Sequence, residues 1–325
     1  MYILAFTTQG SFMRLLILAI ALLLPFAHAA EQPSQAKRIA ITFDDAPRSD
    51  GPYLSGTERT DRLIAALDAT GVEGAMFFVT TGLLDEAGEE GSERIRRYAA
   101  SGQLLANHSH RHRWLHRTPA DDYLADIDEA SRTLAAFDGV EPYFRFPFLD
   151  EGRDAAKRDA VRAGLAARGL QNGYVTVDNY DWYMVSLFAE ALRSDPEPDL
   201  SAWQQAYVEI LVDAVEFYDR MAVDALGRSP AHVLLLHEND LAALFVDDLV
   251  IALRQRGWEI ISTIEAYRDP IADIEPDTLF LGQGRVAALA HLAGRSRSDL
   301  VHLSEDEQQL RREFERRGLI GERTP

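Results

Sequence analysis

The sequence predicts an α/β chain folded as a distorted (β/α) barrel of about seven parallel strands, with a C-terminal helical extension. Three observations carry this. Short β-branched or apolar runs alternate with longer stretches of helical period. The run HVLLLH at 232–237 is apolar almost throughout, as a parallel strand covered on both faces must be. The out-of-place polar residues fall at the C-terminal ends of the predicted strands, the face on which such barrels build their sites.

The elements follow in order. Residues 13–30, MRLLILAIALLLPFAHAA, place one basic residue before an apolar run and then Ala27-His28-Ala29, the layout of a secretory leader. Leu15 to Phe26 is too short for the ~20 residues of a membrane span. Residues 1–30 are therefore expected to be a signal peptide, with export to the periplasm or the extracellular space and no stable span after cleavage; an uncleaved anchor is the alternative. Strands are predicted at 38–43, 75–80, 103–108, 143–148, 173–178, 232–237 and 258–263. Helices at 60–71, 122–139 and 247–257 space apolar residues at i, i+3 and i+4 and finish at Gly, as crossovers do. Two connections are long. Residues 48–60 are Gly-rich and polar and are expected over the barrel mouth as a lid, and residues 183–230 are expected to form two helices. A barrel over 31–268 is then followed by an extension, 269–325, packed on or beside it.

Composition narrows the function. The chain has no cysteine, which excludes a thiolate nucleophile and cysteine-ligated zinc, so a metal would need His and carboxylate ligands. A formal charge of −19 argues against nucleic acid and anionic lipid as partners. Neutral, cationic or small partners remain.

The candidate chemistry lies at the strand ends. Asp44 and Asp45 follow the first strand; like charges this close push their pKa values apart unless a cation sits between them, so one suits a ligand and the other a base. Strand alternation sends them to opposite faces unless the backbone turns, and Pro47 makes a turn plausible. ANHSHRHRWLH (106–116) holds four of the nine histidines; His108 and His112, four apart, would be stacked neighbours on a helical turn, and His112 with His116 is a rival pair. Arg145 sits inside the apolar run YFRFPF, which is costly unless its guanidinium meets a carboxylate. His237 ends a buried strand, and Asp178 to Tyr183 mix carboxylates with aromatics suited to stacking on a sugar or to plain packing. Each feature alone has a structural reading: a turn, a solvated basic loop, an ion pair or a satisfied core histidine.

Taken in order, TFDDAP, HSHRH, RFPF, DNYDW and LLLHEND resemble the five motifs of the polysaccharide deacetylase family (NodB homology, carbohydrate esterase family 4) over roughly residues 36–265. The resemblance implies a divalent metal, usually zinc with cobalt or nickel as substitutes, held by Asp45, His108 and His112. It implies Asp44 as general base, Arg145 holding Asp44 ionised, and a backbone N–H near Phe148 toward the oxyanion. It implies His237 as general acid oriented by Asp181, with Leu235 lining the acetyl pocket and Trp182 walling the groove. The substrate implied is an acetylated glycan, with N-acetylglucosamine units of peptidoglycan, a chitin-like oligomer or an exopolysaccharide ahead of an O-acetylated xylan or a small amide. A non-catalytic glycan-binding protein is the reading from another class, but it should have lost the base, the acid or a ligand, and all are present.

Three departures stand out. The Gly that usually follows the Asp pair is Ala46, the third motif ends Phe148-Leu149-Asp150-Glu151-Gly152, and the fifth continues Glu238-Asn239-Asp240. The last is expected to add acidity beside His237, raise its pKa and favour a cationic substrate.

Overall fold

In the computed structural model, residues 36–280 and 282–321 are described, together with residues 1, 2, 4 and 5. The rest of the expected leader lies outside the described residues. The unit that begins at Ala36 carries every element of the fold.

Strands and helices alternate along it: β1 (Lys37–Ala46), α1 (Gly56–Ala69), β2 (Met76–Val79), α2 (Thr81–Ala100), β3 (Leu104–Asn107), α3 (Ala120–Leu134), β4 (Val140–Phe144), α4 (Ala155–Ala167) and β5 (Gln171–Asn172). Then come α5 (Asp181–Ser194), α6 (Leu200–Leu226), β6 (Ala231–His237), α7 (Asp240–Gln255), β7 (Trp258–Ile260), α8 (Thr263–Ala266), α9 (Gly284–Leu292) and α10 (Glu307–Arg316). The sheet runs β5-β4-β3-β2-β1-β6, with β7 beside the start of β1, and every pairing is parallel. This is the predicted distorted barrel. β1 and the terminal strand β6 are paired from Arg38 with Ala231 to Asp44 with His237, and both are nearly continuous apolar runs because helices cover them.

The fifth strand differs from its prediction. β5 is only Gln171–Asn172, and residues 173–178 are extended without being a regular strand. Thr176 Oγ1 accepts the Val233 N–H at 2.7 Å, a side chain standing in for a ladder carbonyl, which breaks the pairing. The segment still links both neighbours: Gly173 N–H donates to Phe144 O at 2.7 Å and Leu235 N–H to Val177 O at 3.1 Å. β4 likewise ends at Phe144, so the RFPF residues lie just beyond it. The long connection forms two helices as expected, α5 and α6. Helices α2 and α4 escaped the periodicity reading: α2 is kinked at Gly88, and α4 buries only Arg158, Val161 and Leu165.

The lid expected at 48–60 is a pinned loop. Residues 56–60 already belong to α1, which opens with a Ser55–Glu58 capping box. Buried Asp240 accepts the N–H groups of Tyr53 (2.8 Å) and Leu54 (3.2 Å), and Arg59 Nη2 donates to the carbonyls of Arg48 (2.6 Å) and Ser49 (2.8 Å). Glu238, fully buried, accepts from Arg48 N–H, Arg94 and Tyr98 at 2.6–2.8 Å.

The described residues beyond Asp269 form helices and turns and join the main core. Phe314 of α10 packs on Trp203 of α6 with ring centroids 5.0 Å apart. α9 lies against α6 and starts at Gly284, at φ 79°, where a Cβ would stand 2.6 Å from the carbonyl oxygen of Val175. Ser304 O accepts the Tyr180 N–H at 2.7 Å, so the tail braces the segment that leads into Asp181.

Candidate active site

At the C-terminal end of the strands lies a cleft of about 660 Å³ that contains Asp44, Asp45, His108, His112, Phe148, Trp182, Leu235 and His237 in its lining. Its geometry rests on backbone turns. Asp45, Ser109, His112, Phe148 and Leu149 are the non-glycine residues with positive φ among the described residues, and all belong to this cleft or the loops beneath it. Such conformations are strained for L-residues and persist where surrounding structure holds them. Asp45 at φ 65° is the turn that strand alternation required, and it brings the second carboxylate round to the face of the first.

His108 and His112 converge without a helix, correcting the expectation of a helical turn. Residues 108–114 are a loop with left-handed residues at Ser109 (φ 67°) and His112 (φ 49°). Asn107 ties it down by accepting the Ser109 N–H at 2.7 Å and donating to Ile127 O and Ser131 Oγ on α3, while Asp126 of α3 accepts the N–H groups of His110 and Arg111. The result sets His112 Nε2 3.1 Å from Asp45 Oδ1 and 3.2 Å from His108 Nε2, with His108 Nε2 3.6 Å from Asp45 Oδ1. Among the described residues, Asp45, His108 and His112 are the group of three or more donors close enough to share one ion. His116 is absent from it, because its Nδ1 and its N–H both go to Asp150 Oδ2, at 2.9 and 2.8 Å.

This donor set fits a divalent ion. His108 Nδ1 faces the carbonyl of Arg145 at 2.9 Å, which places the proton on Nδ1 and leaves the Nε2 lone pair toward Asp45 and His112. Burial lowers the His108 pKa to about 4 against the pull of Asp44, so the ring is neutral, as a ligand must be. Burial would raise the Asp45 carboxyl, but the hydrogen bond and charge of His112 outweigh it and hold Asp45 well below the usual range.

Two flanking pairs complete the cleft. Arg145, fully buried, donates from Nη1 to Asp44 Oδ1 at 2.6 Å and to Thr42 Oγ1 at 2.8 Å, from Nε to Gly173 O at 2.7 Å and from Nη2 to the Tyr267 hydroxyl at 3.1 Å. The carboxylate that its burial demanded is Asp44. Opposite, His237 Nδ1 lies 2.5 Å from Asp181 Oδ1, and Asp181 Oδ2 accepts from the His237 N–H (2.9 Å) and from Asn239 Nδ2 (2.7 Å). Burial lowers the His237 pKa, but Asp181, then Asp45 and Asp44, outweigh it and carry the group to about 9.

The fifth-motif expectation needs correction. Glu238 and Asp240 do not line the cleft; they turn into the buried cluster with Arg59 and Arg94, so the raised pKa of His237 comes from Asp181. Asn239, not singled out from the sequence, orients Asp181. Trp114, also missed, stacks on Phe148 with ring centroids 3.9 Å apart and planes 1° off parallel, forming one wall of the cleft. Its position two residues after His112 was the available signal. Leu235, Trp182 and Phe148 line the cleft as expected, Trp182 and Phe148 partly exposed.

A parallel barrel carries a His/His/Asp group that could hold a metal ion at its strand ends, between a buried Arg–Asp pair and an Asp–His pair. The comparisons sharpen this. The polysaccharide deacetylase family model matches residues 31–167. A peptidoglycan-N-acetylglucosamine deacetylase of Bacillus cereus is 27% identical over 164 residues, covering 50% of this chain and 52% of that protein. The chain thus spans about half the length of this curated relative. Among solved structures, a carbohydrate esterase family 4 pseudoenzyme of Bacillus anthracis superposes with a TM-score of 0.50 at 17% identity, over 71% of this chain and 66% of that one. A mutant of a family 4 pseudoenzyme with restored activity superposes with a TM-score of 0.51 at 18% identity, over 71% and 68%. These likenesses bear on the fold.

Proposed function

We propose that the protein is an exported, metal-dependent polysaccharide deacetylase that hydrolyses acetyl groups, foremost the N-acetyl groups of a glycan containing N-acetylglucosamine. The observation that carries this is the placement of a complete donor triad between a paired carboxylate and a paired histidine in one cleft.

Asp45, His108 and His112 would hold the ion, with zinc first among candidates and cobalt or nickel able to replace it; three protein ligands leave positions open, as catalytic sites require. When bound, such an ion supplies Lewis acidity to the acyl oxygen and to water. The protein's own residues do the rest. Asp44, ion-paired with Arg145 at 2.6 Å, accepts a proton from the water that attacks the acetyl carbonyl carbon. The backbone N–H of Phe148, a residue that lines the cleft, would donate to the oxygen that gains charge. His237, protonated because of Asp181, gives its Nε2 proton to the leaving amine nitrogen as the C–N bond breaks, releasing acetate. Leu235 offers an apolar floor for the acetyl methyl, while Trp182, Phe148 and Trp114 wall the sugar. Residues 269–325 act in this reading as an extension that braces the barrel around Tyr180.

An O-acetyl esterase would use the same groups, since an alkoxide also leaves more easily when protonated. The relative acting on N-acetylglucosamine favours the amide. Acetate release from N-acetylglucosamine oligomers, peptidoglycan and acetylxylan separates the two. Release from either N-acetylated glycan supports the proposal, release from acetylxylan alone supports the esterase, and binding to any of them without release supports a glycan-binding role.

A further inference from the structure

A second cavity, of about 250 Å³, opens at the β5 edge of the sheet and shares no lining residue with the cleft. Its walls come from β4, α4 and β5 and from the chain after α8, so residues beyond Asp269 form one of its sides. Much of the lining is aromatic. Tyr143 stacks on Tyr267 with ring centroids 4.5 Å apart, and Tyr174 meets Tyr267 edge-on at 4.9 Å. A cavity of this size and lining suits the body of a small planar molecule rather than a polymer.

Two polar groups in the lining lack the partners that burial calls for. Arg285, 5% exposed, donates from Nη1 to the carbonyls of Ile271 (3.1 Å) and Ala272 (2.8 Å), and its guanidinium lies over the Tyr174 ring at 4.0 Å. Among the described residues its Nε and Nη2 make no hydrogen bond, and no carboxylate forms an ion pair with it. Glu275, the carboxylate in the lining, is exposed and not paired with it. Burial accordingly lowers the Arg285 pKa, whereas the pKa of buried Arg59, faced by Glu238 and Asp240, is raised despite its burial. The Tyr174 hydroxyl, also buried, has no hydrogen-bond partner.

A buried charge is costly until a counter-charge meets it, and a buried hydroxyl until it is hydrogen-bonded. The other guanidinium in the lining is already spent, Arg162 on Glu151 at 2.7 Å. One free guanidinium matches a monoanion, and its planar fork of donors fits a carboxylate. A phosphate monoester, carrying about −1.5 to −2 at neutral pH, would be left partly uncompensated.

We propose that this cavity is a binding site for a small aromatic carboxylate, its acid group held by Arg285 and its ring set among Tyr143, Tyr174 and Tyr267. The site stands apart from the cleft and does not depend on the deacetylase reading.

The test titrates benzoate, benzamide and inorganic phosphate into the full chain by calorimetry, after chelator treatment so that no metal in the cleft captures the acid. Benzoate should bind at one equivalent per chain and about tenfold or more tighter than benzamide, the difference expected when a charged donor loses its charged acceptor. That preference should vanish in Arg285→Gln. Because Arg285 is buried, a second variant decides the matter if the first does not fold. Ala166 is an exposed position of α4 in the cavity lining, so Ala166→Trp should fill the cavity and abolish benzoate binding with the unfolding midpoint unchanged. Equal binding of acid and amide, or no benzoate binding at millimolar concentration, overturns the proposal. So does an acid preference that survives in folded Arg285→Gln, or benzoate binding that survives in Ala166→Trp. Tighter binding of phosphate than of benzoate overturns it as well, by showing a site for a more highly charged ion.

Discussion

Asp181→Asn isolates what one buried carboxylate does for the histidine across from the Asp45–His108–His112 group. With Asp181 at 2.5 Å the His237 pKa stands at about 9, whereas an ordinary histidine titrates near 6.5. Asp45 and Asp44 also raise it while burial lowers it, so removing the Asp181 charge should return it toward the ordinary value, to roughly 7. The raised value means that the protonated, donating form persists through neutral pH and is lost only as pH climbs through about 9. In the variant that loss should begin about two units earlier. At pH 8 the protonated fraction would fall from roughly nine-tenths to roughly one-tenth, a tenfold loss of rate from protonation alone, while at pH 6 that contribution vanishes. A further loss independent of pH is expected, because the Asn side chain cannot accept from all of the His237 ring, the His237 N–H and Asn239 Nδ2. The assay is acetate release from an N-acetylated oligomer between pH 5.5 and 10 at fixed zinc. A basic limb that stays in place in the variant, with an equal drop at every pH, would refute the reasoning and leave Asp181 as a packing residue.

Other perturbations separate neighbouring roles. Asp44→Asn should reduce acetate release by about 10²-fold or more while zinc per chain, read by atomic absorption, stays at the wild-type level; loss of zinc would exchange the roles of Asp44 and Asp45. His112→Ala should lower zinc content and His116→Ala should not, since Asp150 holds His116 outside the donor group. Glu238→Gln leaves Arg59 and Arg94 buried without their shared partner, and a loss of about 3–5 kcal/mol in denaturant unfolding is expected; a stability within about 0.5 kcal/mol of wild type would show that the cluster is dispensable.

The sequence carried the barrel because β1, β2 and β6 are buried on both faces and read as unbroken apolar runs. It failed where hydrogen bonding departs from the ladder. Residues 173–178 look like a strand by composition, yet Thr176 replaces a backbone acceptor and the paired residues are Gln171 and Asn172. Helices α2 and α4 were hidden because a kink at Gly88 and a buried Arg158 blur their apolar stripes. At the cleft, His108, His112, Asp44, Asp45, Arg145 and His237 were legible because polar residues closing apolar runs need partners. Which way a side chain turns after a strand end was not. Glu238 and Asp240 flank Asn239, and only Asn239 reaches Asp181, because the chain bends there into α7. The loop at 48–55 reads as polar and free, but its polar backbone is satisfied by Arg59 and Asp240 from elsewhere in the chain.

The most direct measurement is a zinc titration of the chelator-treated protein, following acetate released from N-acetylglucosamine oligomers and peptidoglycan together with bound zinc. The account predicts no release without metal and a rate that rises linearly and saturates at one equivalent per chain, abolished by His108→Ala. Release that ignores chelation, or one zinc bound at Asp45, His108 and His112 with no acetate from either glycan, would contradict it.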